Sequence, residues 1–105
     1  MALSKGQRLA SKGLPVVYFL RLQSGTIYVG SSTDLDQRLA DHLSGQACRT
    51  TALDPPADFL RVEIYPTFTG ARRREAQLKR WSRRKKEALI RGDLEALHSL
   101  SRSRD

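Results

Sequence analysis

Tyr18 and Tyr28 flank a Gln23-Ser24-Gly25 turn, and Arg38 and His42 follow four residues apart. Such a spacing can gather two phenols, a guanidinium and an imidazole around one point. The guanidinium is a planar, permanently charged fork that matches phosphate oxygens. The imidazole exchanges a proton near neutral pH. A tyrosine, with an ordinary pKa near ~10, is a poor base unless a cation or a histidine helps to remove its proton. Alone, each group has a plainer reading. The tyrosines are then strand residues, Arg38 pairs with Asp34 or Asp41 on its own helix, and His42 is a solvated helix residue.

The elements that must position these groups can be read from the pattern. Pro15 to Leu22 is rich in β-branched and aromatic residues and reads as a buried strand. The Gln23-Ser24-Gly25 turn leads into a return strand over Thr26 to Gly30, so that the two tyrosines lie on neighbouring strands of one hairpin. Thr33 or Ser32 is expected to cap a helix with Asp34 in its first turn. Leu35, Leu39 and Leu43 form its expected buried stripe, Arg38 and His42 run along one edge, and Gly45 stops it.

Farther along, Gln46 to Phe59 reads as a loop punctuated by Asp54-Pro55-Pro56, and Leu60 to Tyr65 alternates like a half-exposed strand. A helix over Ala71 to Trp81 carries Glu75 and Leu78. Ser82 caps a short helix ended by Gly92, and Asp93 caps a last one through Leu94 and Leu97. The fold class expected is α/β (α+β). A three-stranded antiparallel sheet is flanked by helices, in the order β-β-α-β-α-α with a further helix at the end. The chain divides into a flexible arm over residues 1–14, a domain over 15–92, and a C-terminal helix with a polar tail over 93–105.

The 105-residue chain carries a formal charge of +8, and Arg72 to Arg91 holds ten Lys or Arg against two Glu. A local field of that sign favours a polyanion, and release of counterions from phosphates makes nucleic acid the expected partner. Arg49, Arg72, Arg73, Lys79, Arg83 and Lys86 are the candidates for contact with its backbone. One cysteine, Cys48, rules out an internal disulfide and suits a reducing compartment. It reads as a free loop thiol. With two histidines beside it, a structural zinc site is disfavoured. No apolar run approaches membrane-spanning length, so a soluble, cytoplasmic protein without membrane contact is expected.

The ordered set Tyr18, Tyr28-Val29-Gly30, Arg38-x-x-x-His42 and Glu75 resembles the GIY-YIG nuclease domain, in particular its small stand-alone bacterial (YhbQ-like) branch. The run Trp81 to Ile90 also resembles the end of that branch's domain, so the likeness spans Val16 to Ile90. The resemblance implies a small sandwich with a three-stranded antiparallel sheet. It implies hydrolysis of a phosphodiester with one divalent ion, Mg²⁺ or Mn²⁺. The expected activity is that of an endonuclease on DNA, branched or single-stranded, in repair or recombination. Tyr18, Tyr28, Arg38, His42 and Glu75 would be the catalytic set, with Glu75 the metal ligand. Without the resemblance, Glu75 reads as relief of repulsion among arginines.

Within that set, Tyr18 is the expected base or proton relay and Tyr28 its orienting partner, with the reverse assignment open. The sequence departs from the pattern in four places. Val17 replaces the first motif's glycine, Ser31 stands where some relatives carry lysine, the chain contains no asparagine, and Thr50 lacks an aromatic ring common in the branch. These departures motivate two alternatives: a catalytically weak or inactive nucleic-acid-binding module, and a protein-interaction domain using the C-terminal helices.

Overall fold

The computed structural model describes residues 12–102. Most of the expected arm and the end of the polar tail lie outside them. Three strands, β1 (Val16–Leu22), β2 (Ile27–Ser32) and β3 (Pro56–Ile64), form one sheet in the order β2-β1-β3. Among the described residues five helices are interleaved with and follow them: α1 (Leu35–Leu43), α2 (Arg49–Leu53), α3 (Phe68–Lys79), α4 (Arg83–Arg91) and α5 (Leu94–Arg102). The expected architecture holds, with one short helix added between α1 and β3.

β1 is the central strand and pairs antiparallel with both neighbours. A strand covered on both faces cannot alternate apolar with polar residues, which is why β1 reads as an almost continuous apolar run. Val16, Tyr18, Leu20 and Leu22 point to one face and pack with Leu35 and Leu39 of α1. Val17 and Phe19 point to the other and pack with Ala71 and Leu78 of α3 and Leu89 of α4. The result is three layers, with α1 on one side of the sheet and α3 and α4 on the other.

Three differences from the expectation bear on the site; elsewhere β2 runs on to Ser32 instead of ending at Gly30, and α3 covers Phe68–Lys79 instead of Ala71 to Trp81. Asp34, not Thr33 or Ser32, is the cap of α1, its carboxylate accepting from the Gln37 amide at 3.1 Å. Ser32 instead accepts from the Asp34 amide at 2.9 Å and braces the cap. Leu43 is 56% exposed, and His42 takes its place in the buried stripe. Helical pitch explains this. At about 100° per residue, Leu39 and His42 lie within ~40° and ~20° of Leu35, whereas Leu43 has drifted by ~80°.

The third difference is in the segment expected to be a loop. It contains α2 and the first residues of β3, which begins opposite Leu22 at Pro56. A proline is acceptable there because the first position of an edge strand needs no inward N–H. Helix α2 is illegible in the sequence because Thr50-Thr51 is a poor helix-forming pair. The later caps agree with expectation. Ser82 accepts from the Lys85 amide, Gly92 ends α4 with φ of 70°, and Asp93 accepts from the Ala96 amide at 3.0 Å. None of the described helices is long and apolar enough to cross a membrane.

Candidate active site

The register of the hairpin decides how the tyrosines meet. Tyr18 stands opposite Gly30, and Tyr28 opposite Leu20. The two are therefore diagonal neighbours on the α1 face, with ring centroids 6.4 Å apart. Tyr18 is 1% exposed, and its ring crosses over Gly30. A Cβ on residue 30 would overlap the Tyr18 hydroxyl and ring, so only glycine lets that side chain lie flat against β2.

Helix α1 brings His42 over both rings. Its Nε2 lies 2.7 Å from the Tyr18 hydroxyl, and its ring is edge-on to Tyr28 at 5.1 Å between centroids. The solvated-helix reading of His42 is thus wrong: the residue is 1% exposed. Its other nitrogen, Nδ1, lies 2.7 Å from the hydroxyl of Thr51 on α2, itself fully buried. Burial, then the positive charge of Arg38, lowers the His42 pKa against a smaller opposing effect of Asp41. The ring is accordingly neutral near pH 7.

Cys48, at the head of α2, completes the group. Its sulfur is 3.6 Å from the Tyr28 hydroxyl and 3.4 Å from Thr51 Oγ1. Burial pushes the thiol up, but the Thr51 hydroxyl, the Thr50 and Thr51 amides and the Tyr28 hydroxyl together hold it below its ordinary value. Burial also raises both tyrosines above theirs. Tyr28 adds to the effect at Tyr18 and Cys48 to that at Tyr28, while Arg38 lowers and Glu75 raises both. Both phenols therefore keep their protons in the free protein.

Arg38 is half-buried beside this cluster. It does not pair with Asp34, which caps α1, nor with Asp41, which accepts from the Gln37 side chain at 2.9 Å. Among the described residues its guanidinium forms no ion pair. Glu75 arrives from the other layer. Ser31, next to Gly30 on β2, turns toward α3 and donates to Glu75 Oε1 at 2.5 Å. The Tyr18 hydroxyl and the Glu75 carboxylate thus reach adjacent residues of the edge strand.

The environment of Glu75 is strongly positive. Burial alone would raise its pKa, but the Lys79 ammonium, 2.8 Å from Oε2, with the Ser31 hydroxyl and the Arg72 charge, brings it below the ordinary carboxylate value. Arg72 lies 3.9 Å away. Relief of repulsion is therefore one thing Glu75 does. Among the described residues no three His, Cys, Asp or Glu side chains converge to enclose a metal.

The basic candidates separate into groups. Lys79 flanks Glu75; Lys86 is near enough to Lys79 that its own pKa is lowered, first by burial and then by that charge. Lys86 and Arg83 line, with Thr26 and Ile27, a hollow of about 160 Å³ beside the hairpin. Together with Arg72 they make a positive track along β2. Arg49 is exposed at the start of α2, adjacent to Cys48, and Arg73 is exposed on α3. Ser82 spends its hydroxyl on capping α4 and is not a partner of Glu75.

Two participants are hidden from the sequence. Cys48 reads there as a loop thiol without a partner, and Thr51 as a residue beside a missing aromatic ring. The signal for Thr51 is the threonine that follows the aromatic position in the branch the sequence resembles, and it says nothing of burial or of His42.

Comparison with known proteins identifies the family. Residues 14–88 match the model of the GIY-YIG catalytic domain. A UPF0213 protein of Xanthomonas axonopodis pv. citri, XAC3202, is 34% identical over 78% of this chain and 80% of its own length. A UPF0213 protein of Halobacterium salinarum, VNG_2274C, is 36% identical over 70% of this chain and 96% of its own. The solution NMR structure of the UPF0213 protein BH0048 from Bacillus halodurans is 36% identical, covers 72% of this chain and 81% of that one, and aligns with a TM-score of 0.48. The chain carrying this tyrosine, histidine and glutamate arrangement belongs to the GIY-YIG catalytic domain family and is a homologue of its small UPF0213 proteins.

Proposed function

We propose that this protein is a divalent-metal-dependent endonuclease that hydrolyses phosphodiester bonds in DNA. The observation that carries the reading is the buried Tyr18–His42 hydrogen bond beside Tyr28, with Glu75 held one residue away on β2. A neutral imidazole hydrogen-bonded to a phenol is a ready proton acceptor. As Tyr18 Oη takes a proton from the attacking water, its own proton passes to His42 Nε2. The water oxygen bonds to phosphorus, the P–O3′ bond breaks, and the leaving oxygen is reprotonated from solvent.

Tyr28, less buried than Tyr18, sits at the mouth of the site and orients the water. Arg38 faces the non-bridging oxygens, where charge accumulates, and neither Asp34 nor Asp41 competes for it. Glu75 would hold one hard cation, because an ionised carboxylate beside the Ser31 hydroxyl offers oxygen donors alone. When bound, such an ion supplies charge stabilisation for the phosphoryl group and leaving oxygen. Lys79 is half exposed and can swing away from Glu75 to free that oxygen. The track of Arg72, Lys79, Lys86 and Arg83 follows the nucleic-acid backbone.

The test is a nicking assay with Mg²⁺ or Mn²⁺ on plasmid, single-stranded and branched DNA. Wild type should cut, and Glu75→Ala and Arg38→Ala should abolish cutting. Equal cleavage by all three proteins would trace the activity to a contaminant and sink the assignment. One observation favours a second reading, a binding module without turnover: the Lys79 ammonium already occupies Glu75 Oε2. Salt-sensitive DNA binding with no cleavage under any divalent ion would select it.

A further inference from the structure

Thr51 stands apart from the groups so far given a part, yet it is fully buried and contacts two of them. A neutral imidazole carries one donor and one acceptor, so the partner of Nδ1 dictates what Nε2 can do. We propose that Thr51 is a positioning residue: its hydroxyl oxygen accepts from His42 Nδ1–H and so holds His42 in the tautomer whose Nε2 lone pair faces the Tyr18 hydroxyl. The catalytic consequence rests on the nuclease reading above; the tautomer itself does not.

Accounting for the protons selects this direction. The Tyr18 hydroxyl is buried and keeps its proton, and Nε2 is its one hydrogen-bond partner among the described residues. If Nε2 were the donor, the Tyr18 O–H would be a buried donor with no acceptor, at a cost of about 1–3 kcal/mol. In the opposite arrangement every donor has an acceptor. Tyr18 donates to Nε2, Nδ1–H donates to Thr51 Oγ1, and the Thr51 hydroxyl donates to the Cys48 sulfur 3.4 Å away.

The surroundings of His42 do not compete for either nitrogen. Tyr18 comes from β1, Tyr28 presents its ring from β2, Arg38 and Asp41 lie on α1, and Cys48 on α2. Arg38 has no acceptor, and the Asp41 carboxylate accepts from Gln37. Thr51 thus does by a short helix what a carboxylate does behind the histidine of other proton-transfer sites. The difference matters chemically. A hydroxyl orients the ring without adding negative charge, so the imidazole stays neutral in a buried place.

Nitrogen-15 spectra of the imidazole rings read the tautomer directly, with His98→Gln as the background that leaves His42 as the one histidine. The expected wild-type signal near pH 7.5 is a protonated Nδ1 and an unprotonated Nε2. Thr51→Val, close in shape but without the acceptor, should lose that signal in favour of Nε2–H or a mixture. Its kcat should fall about 10–100-fold with KM unchanged, the range seen when the partner behind a ligating histidine is removed. Thr51→Ser should restore both.

An Nε2–H tautomer in the wild-type protein, or a Thr51→Val protein that retains Nδ1–H, overturns the proposal. The wild-type spectrum decides the point even where Thr51→Val does not fold. A wild-type Nδ1–H signal in a protein that cuts no DNA upholds the hydrogen bond and removes the nuclease reading instead.

Discussion

The Tyr18 hydroxyl and His42 Nε2 lie 2.7 Å apart, joined across the sheet–helix interface by residues 24 positions apart in the chain. Both side chains are buried, so the bond is shielded from bulk water in the free protein. Groups that pass one proton act as a unit. Tyr18→Phe and His42→Gln should each lower kcat about 10²–10⁴-fold, and the double variant should be no slower than the worse single one. Steady-state cleavage rates of the three proteins check this; additive losses would mean that the two residues act separately.

Gly30 should tolerate no side chain. Gly30→Ala drives a methyl into the Tyr18 ring, which has no free space to move into because Leu35 and Leu39 pack around its strand. Overpacking of this kind costs about 1–3 kcal/mol. The urea midpoint should fall accordingly, and activity should fall by more than the loss of folded protein explains. An unchanged midpoint would place Tyr18 elsewhere.

Acid should weaken the fold in two stages, and the sign follows from the direction of each shift. His42 has a folded pKa below its ordinary 6.5, so it binds fewer protons folded than unfolded. Its contribution is full above that value and fades as the pH falls toward the lowered one. Glu63 is bonded to Arg74, Arg61 and Tyr65; burial opposes these contacts but they prevail, and its pKa lies below the ordinary 4.5. That contribution is full above 4.5 and is lost as the pH falls through the lowered value. Urea midpoints measured from pH 8 to 3 should drop first below about 6.5, a stage His42→Gln should flatten, and again below about 4.5, a stage Glu63→Gln should flatten.

Lys79 should oppose the metal and help the nucleic acid. Lys79→Met removes the ammonium from Glu75 Oε2. Half-maximal activity should then require less Mg²⁺, while affinity for DNA in the absence of metal falls. A Mg²⁺ titration of nicking and a metal-free binding isotherm separate the two effects. An unchanged Mg²⁺ requirement would remove Glu75 as the ion's ligand.

The positive track should behave as a set of cations that each neutralise a phosphate. Arg83→Ala with Lys86→Ala should weaken binding alike across DNA sequences. The slope of log affinity against log salt should become shallower by about 2, roughly 0.9 for each phosphate no longer neutralised on duplex DNA. Arg73→Ala should leave that slope unchanged. Filter-binding or fluorescence titrations at several salt concentrations measure both.

Local order is written into the sequence. The apolar run of β1, the hairpin turn, the caps at Ser82 and Asp93 and the stop at Gly92 each depend on neighbours within a few positions, so their residue types announce them. Motif spacing, too, marks Tyr18, Tyr28, Arg38, His42 and Glu75 as a set. What the spacing does not hold is depth and partnership. The pitch of α1, set by packing on the sheet, puts His42 inside and turns Leu43 out. The return of the chain through α2, a helix its threonines do not favour, brings Thr51 to His42 and Cys48 to Tyr28. The edge position of β2 lets Ser31 reach Glu75 from one face while Gly30 receives Tyr18 on the other. Those contacts join residues far apart in the chain, and burial enforces them only when all three layers have closed.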